Sequence, residues 1–157
     1  YCEPMSSRPD AQRIQDFLAN LVPGADKTPR FLVEEVSEDF ARVRMPARSS
    51  HLRPGDTISG PVQMALADTA SWVQILHNLG FDSAPSVTSS LNISFLNRPR
   101  PGDLRAEARL LKLGRRLAVS EVRLFDVERE KPVAHATVTY AVQLASELAK
   151  KAGSARP

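Results

Sequence analysis

Residues 61 to 79, PVQMALADTASWVQILHNL, make one apolar stretch with almost no polar face. A helix that is apolar on nearly every side has to be enclosed by the rest of its chain. Pro61 suits the first helical position, because its missing N–H would be unpaired there anyway. Asn78 and Gly80 supply a C-terminal stop. The material to enclose the helix lies downstream. Residues 87–96, 104–113, 117–126 and 133–142 each alternate apolar and polar side chains, the period of a strand. In the first, Val87, Leu91, Ile93 and Phe95 share a face, with Thr88, Ser90, Asn92 and Ser94 opposite. In the last, Ala134, Ala136, Val138, Tyr140 and Val142 are set against His135, Thr137 and Thr139. RPRPGD and LGRR read as turns between them. Consecutive strands joined by short turns predict an antiparallel meander. Ala65, Ala67 and Ala70 would let strands pass close to the helix. The expected class is therefore α+β, a curved antiparallel sheet wrapped around a long central helix.

The remaining segments fit around this centre. In DAQRIQDFLANLV, residues 10 to 22, Ile14, Phe17, Leu18 and Leu21 fall at helical spacing, Asp10 can cap the helix and Pro23-Gly24 can end it. FLVEEVSEDFARVRMP reads as two short strands around a Ser-Glu-Asp turn, and SHLRPGDTISG as a loop. A chain of 157 residues is long enough for one domain with a substantial core. The expected layout is a disordered segment over 1–9, a single domain over 10–144 and a polar, disordered tail over 145–157. Met5 fits a natural start.

Composition narrows the functional classes. The net charge of +3 is too mild to argue for nucleic acid, though it suits an anionic ligand. A single cysteine, Cys2, rules out an intrachain disulfide and favours a reducing compartment, so a cytoplasmic location is expected. No apolar run approaches the roughly 20 residues of a membrane span, and no secretory leader is evident. His51, His77 and His135 lie far apart with no metal-ligand spacing, so neither metal nor cofactor is expected. There is no Gly-rich phosphate loop and no Gly-x-Ser-x-Gly turn. An Asp-x4-His pair, as hydratases use, is absent; Glu130 precedes His135 at that distance but lies in a charged turn.

One residue resists the structural description. Asp68 sits in the middle of the apolar helix, where aspartate is a poor helix former and a carboxylate needs partners. By itself it is either a structural residue bonded to strand hydroxyls or a catalytic acid. Leu66-Ala67-Asp68, entered through a glycine turn at Gly60, together with LNISFLNRPRPGDLRAEARLLKLGRRLAVSEVRLF, resembles the PaaI-like hotdog-fold acyl-CoA thioesterases. That family enters its helix through His-Gly-Gly and carries the acid eight residues after the first glycine, the spacing of Gly60 and Asp68. Its Gly-[Lys/Arg]-x-x-Ala motif matches Gly114 to Ala118. The resemblance covers roughly residues 30 to 142. Two departures stand out. His-Gly-Gly reads Ser59-Gly60-Pro61, and Arg53 occupies the place of an Asn or Gln that helps bind the thioester oxygen.

The resemblance implies a hotdog fold and hydrolysis of an acyl-CoA thioester to a free acid and coenzyme A. Asp68 would activate water or attack the carbonyl itself. The Gly60 N–H, aided by the helix dipole, would hold the developing oxyanion, its alternative being a purely conformational glycine. Thr88 aligns with a strand Ser or Thr that holds the water or the acid, with Ser89 and Ser90 as neighbouring registers. Ser59, Arg53 and Trp72 would border the substrate. Lys112, Arg115 and Arg116 would meet the phosphates of coenzyme A, or form an ordinary solvated face. The implied partners are the acyl-CoA and a second copy of the chain, as a homodimer or a dimer of dimers, with no nucleic acid and no membrane. A non-catalytic acyl-CoA-binding hotdog module is the alternative that Arg53 and Ser59 raise.

Overall fold

The computed structural model describes residues 8–21, 29–128 and 131–154. The chain begins with α1 (Ala11–Asn20), β1 (Leu32–Val36) and β2 (Phe40–Met45). A short hairpin of β3 (Leu52–Arg53) and β4 (Thr57–Ile58) leads into α2 (Gly60–Leu79). Then come β5 (Val87–Phe95), β6 (Leu104–Leu113), β7 (Leu117–Phe125), β8 (Ala134–Ala141) and α3 (Ala145–Ser154). Six strands form one antiparallel sheet in the order β1-β2-β6-β7-β8-β5, wrapped around α2. This is the expected hotdog architecture, with every long strand where the alternation put it. β5 lies at an edge because its partner is β8, the last strand, rather than β6, the next.

The core explains the enclosure of α2. Leu66, Ala67, Ala70, Val73, Ile75 and Leu76 are completely buried against Ala41, Val43, Ala106, Ala108, Val122, Ala136 and Val138 of the sheet. Each large aliphatic side chain so buried contributes about 1.5–3 kcal/mol. Alanines on both surfaces let helix and sheet approach closely, and the larger side chains fill the gaps between them. One polar link crosses this core. The fully buried Gln74 donates through Nε2 to the Ala108 carbonyl (3.2 Å), and its Oε1 accepts from Ser120 Oγ (2.8 Å).

Several local expectations need correction. Asp10 caps α1 by accepting from the Arg13 N–H at 2.8 Å, as expected, but the helix ends at Asn20 and leaves Leu21 half exposed. The Pro23-Gly24 stop lies outside the described residues, as do Cys2, Met5 and Glu130. Arg8 and Pro9, assigned to a disordered leader, are anchored. Arg8 Nη1 donates to Asn78 Oδ1 (3.4 Å), and His77 Nδ1 sits 2.8 Å from the Pro9 carbonyl. Residues 145–154, expected as tail, form α3 from strong helix formers. Asp82 secures its first turn by accepting from the Ser146 N–H (3.0 Å) and hydroxyl (2.7 Å). The loop before α2 contains the β3–β4 hairpin, whose turn places Gly55 and Asp56 at positive φ.

The correction that matters most is in β5. Simple alternation sets Thr88 on the face opposite Leu91. In the sheet, Thr88 pairs with Tyr140, Ser90 with Thr139 and Leu91 with Val138, so Ser89 is an extra residue bulged out of the ladder. A bulge reverses the face of everything before it. Thr88 consequently joins Leu91 and Ile93 on the side that faces α2, and half-exposed Val87 turns the other way.

Candidate active site

Three elements converge on Asp68. The helix carries the carboxylate inward from the middle of α2, the β5 bulge turns Thr88 toward it, and Tyr140 reaches it from β8. Thr88 Oγ1 donates to Asp68 Oδ1 at 2.6 Å, and the Tyr140 hydroxyl donates to the same oxygen at 2.9 Å. The Tyr140 hydroxyl also lies 3.3 Å from the Asp68 carbonyl. Among the described residues no hydrogen bond reaches Oδ2. One carboxylate oxygen is thus anchored twice and the other is left open. Burial pushes the Tyr140 phenol well above its usual range. Its bond with Thr88 opposes that, and the Asp68 charge reinforces it. Tyr140 therefore stays protonated and keeps donating. In the sequence Tyr140 is only one of the apolar residues alternating along the last strand. Only its side-chain type, one phenol among alanines and valine, distinguishes it on that face.

The other half of the expected machinery lies at the N-terminus of α2. Ser59 is the cap residue, extended at φ −65° and ψ 150°, and its side chain makes no capping bond. The Gly60 N–H is among the first-turn donors that have no acceptor within the helix, and among the described residues no loop carbonyl takes it up. A Cβ on Gly60 would come within 3.1 Å of the Phe95 ring, so glycine is also what lets Phe95 lie across the helix start. A cleft of ≈ 430 Å³ opens here, bordered by Arg53, Gly60, Gln63, Phe95 and Arg98. Arg98 donates to the Gly55 carbonyl at 2.6 Å, and Arg53 makes no ion pair among the described residues. Asp68 does not border this cleft. Gly60 and Asp68 are eight residues apart on one helix, roughly 12 Å along its axis.

The basic residues are divided between these two ends. Lys112, Arg115 and Arg116 surround the β6–β7 turn. That turn is beside the Asp68 end of the sheet, because Ala118 pairs with Tyr140 and Tyr140 with Thr88. All three are exposed and engage no carboxylate among the described residues, whereas Arg42, Arg44, Arg100 and Arg105 are each ion-paired. Arg53 is instead at the Gly60 end. Trp72 does not turn to Asp68 but packs edge-on against Phe17 of α1 (6.1 Å between centroids), and Phe17 stacks on Phe81. His135 bonds Glu121 at 2.8 Å on the sheet surface, and His51 borders a separate small cleft. Among the described residues no group of three or more His, Cys, Asp or Glu could hold a metal ion, and no helix is long and apolar enough to cross a membrane.

Comparison with known proteins agrees with this architecture. The profile of the thioesterase superfamily matches residues 55–133. A crystal structure from Silicibacter sp. TM1040, of a protein provisionally named a thioesterase, superposes with a TM-score of 0.76. It is 36% identical, covering 85% of this chain and 92% of that one. Zebrafish thioesterase superfamily member 2 shares the fold at a TM-score of 0.73 and 23% identity, over 86% of this chain and 99% of that one. A provisionally named esterase of Halobacterium salinarum is 33% identical over 94 residues, 57% of this chain and 62% of its own length. The chain belongs to the thioesterase superfamily, and thioester hydrolysis is the class of activity that membership assigns.

Proposed function

We propose that the chain is a PaaI-like, cytoplasmic acyl-CoA thioesterase whose active sites are each shared by two copies. The observation that carries the reading is Asp68, with Oδ1 held by two hydroxyls and Oδ2 open. In the reaction, Oδ2 accepts a proton from water as the water oxygen adds to the thioester carbon. The former carbonyl oxygen becomes negative and is held by a Gly60 N–H at the positive end of α2. Collapse of this intermediate breaks the C–S bond. The acid is released, and the departing thiolate of coenzyme A takes up the proton. Thr88 and Tyr140 fix the carboxylate without entering the proton transfer.

The spacing along α2 supports sharing. A carbonyl oxygen and the water attacking its carbon must each lie about 3 Å from their protein partners. One chain's Gly60 and Asp68 are too far apart for that, so a two-fold arrangement with Gly60 of one copy facing Asp68 of the other is required. β5 suits the junction, being a nine-residue edge strand with an unpaired backbone edge. The same arrangement would bring Arg53 of one copy toward Lys112, Arg115 and Arg116 of the other, around the phosphates of one coenzyme A. Such dimers could pair further into tetramers. Thiol release from a panel of aromatic and aliphatic acyl-CoAs tests the reading. Turnover of at least one is expected; binding across the panel without turnover would overturn it in favour of an acyl-CoA-binding module.

A further inference from the structure

Met64 is the one large apolar side chain of α2 that the fold leaves exposed, at 38%, although Leu66, Ala67, Ala70 and Val73 of the same helix are completely buried. Its place on the helix is informative. Gly60, Met64 and Asp68 follow one another at four-residue steps, so they share one face, a turn apart. Ala65, beside Met64, is also only partly covered. The side of α2 that the sheet does not enclose is therefore the side that bears both residues assigned to the thioester. A methionine kept bare between them, in a helix otherwise built as core, calls for a covering group.

The shared-site arrangement says what that group is. If Gly60 of one copy faces Asp68 of the other, the two-fold axis exchanges the two pairs. Residue 64 is midway between 60 and 68, so it faces its own counterpart at the axis. Each Met64 is about 6 Å along the helix from Gly60 and as far from Asp68. The two methionines thus stand together between the two sites. The cationic residues lie elsewhere: Arg53 and Arg98 border the cleft at the start of α2, and Met64 does not. With the phosphates at that cationic end, the acyl group leaves the thioester carbon in the other direction, along the uncovered face of α2 toward the axis. We propose that the paired Met64 side chains form the wall between the two sites and set the length of acyl chain that each accepts. This rests on the shared-site thioesterase reading and adds to it a specificity-determining residue. The 6 Å or so between thioester and wall is the span of roughly five chain bonds, so short acyl groups fit and longer ones meet the methionines.

Cross-linking reads the placement, and chain-length kinetics read the role. In a Cys2→Ser background, which removes the natural thiol, Met64→Cys should be joined into covalent dimers by a short bis-maleimide. Cys2→Ser alone should not. A Met64→Cys protein that sediments as a dimer yet stays unlinked would overturn the axial placement. The kinetic series runs over saturated acyl-CoAs from acetyl to dodecanoyl. Met64→Ala should move the preferred length up by about three carbons, the number of heavy atoms lost beyond Cβ, and raise kcat/KM on longer chains relative to acetyl about tenfold. Met64→Leu, which keeps the bulk, should keep the wild-type preference. An unchanged length profile in Met64→Ala would overturn the selective role. So would a uniform loss at every length in both variants, which would mark Met64 as structural. If wild type cleaves no thioester at all, the thioesterase reading itself falls, and the cross-link, which needs no activity, separates that failure from a misplaced Met64.

Discussion

An aspartate in the interior of an apolar helix is tolerable here because two hydroxyls meet it. Thr88 and Tyr140 donate to a single oxygen, so the side chain is held in one rotamer while Oδ2 stays unengaged. Asp68→Asn keeps the shape but removes the basic oxygen. Turnover is expected to fall about 10²-fold or more with KM nearly unchanged; steady-state kinetics showing wild-type turnover would remove Asp68 from the mechanism. Tyr140 gives a second, spectroscopic prediction. Burial and the Asp68 charge raise its pKa despite the opposing Thr88 bond. The phenol thus stays neutral in the fold while the unfolded chain ionises near about pH 10. Above that pH the unfolded state binds fewer protons than the folded state. The stability is full below the unfolded pKa and is lost as pH rises toward the folded one. In a Tyr1→Phe variant, which leaves Tyr140 as the sole tyrosine, ultraviolet titration of the native protein should show no phenolate in the ordinary tyrosine range. Ionisation there with the fold intact would mean that the hydroxyl is not held as described.

At the scale of elements, the β5 bulge absorbs one extra serine and thereby sets the face that Thr88 takes. Thr88 pairs with Tyr140 and Ser90 with Thr139, so one serine is extra to the ladder. Deleting one of Ser89 and Ser90 should leave a regular strand with the same register on both sides and Thr88 still facing α2. Activity within about tenfold of wild type is expected, because the Thr88–Asp68 hydrogen bond is retained and even its full loss would cost about that order. A much larger loss in a variant that still unfolds cooperatively would show that the bulge shapes the site beyond turning Thr88. Much of this architecture is legible in the sequence. The four long strands and α2 announce themselves by period, since burial on one face leaves alternation and burial on all faces leaves an apolar run. The bulge does not, because an inserted serine beside another serine barely changes an alternating pattern. Tyr140 was legible as buried but not as a donor, for its partner is 72 residues away in the chain. The β3–β4 hairpin has two residues per strand, too few to show any period. Gln63 reads as one polar residue in an apolar helix, and only the fold reveals that half of its amide is unpaired among the described residues.

Across the whole molecule, Gly60 and Asp68 lie too far apart on α2 to serve one thioester, so on the proposed mechanism activity should depend on pairing between copies. Mixing Asp68→Asn with Gly60→Pro, each inactive alone and each shown to fold, tests this. Proline at 60 removes the N–H at a position where a helix tolerates it, and the extended Ser59 already has the backbone that a following proline prefers. Random reassortment makes about half the dimers mixed, each with one intact site of two, so roughly a quarter of wild-type activity should return. Demonstrated exchange of subunits without any recovery would refute sharing. The aromatic contact on the far side of Asp68 has a different consequence. The chain contains one tryptophan, and Trp72 rests on Phe17 of α1 while its own helix carries Asp68 one turn earlier. The molecule thus has a built-in fluorophore at the junction of its first helix and its central one. Its emission registers the docking of α1 without any label, from a position one turn along the helix from Asp68.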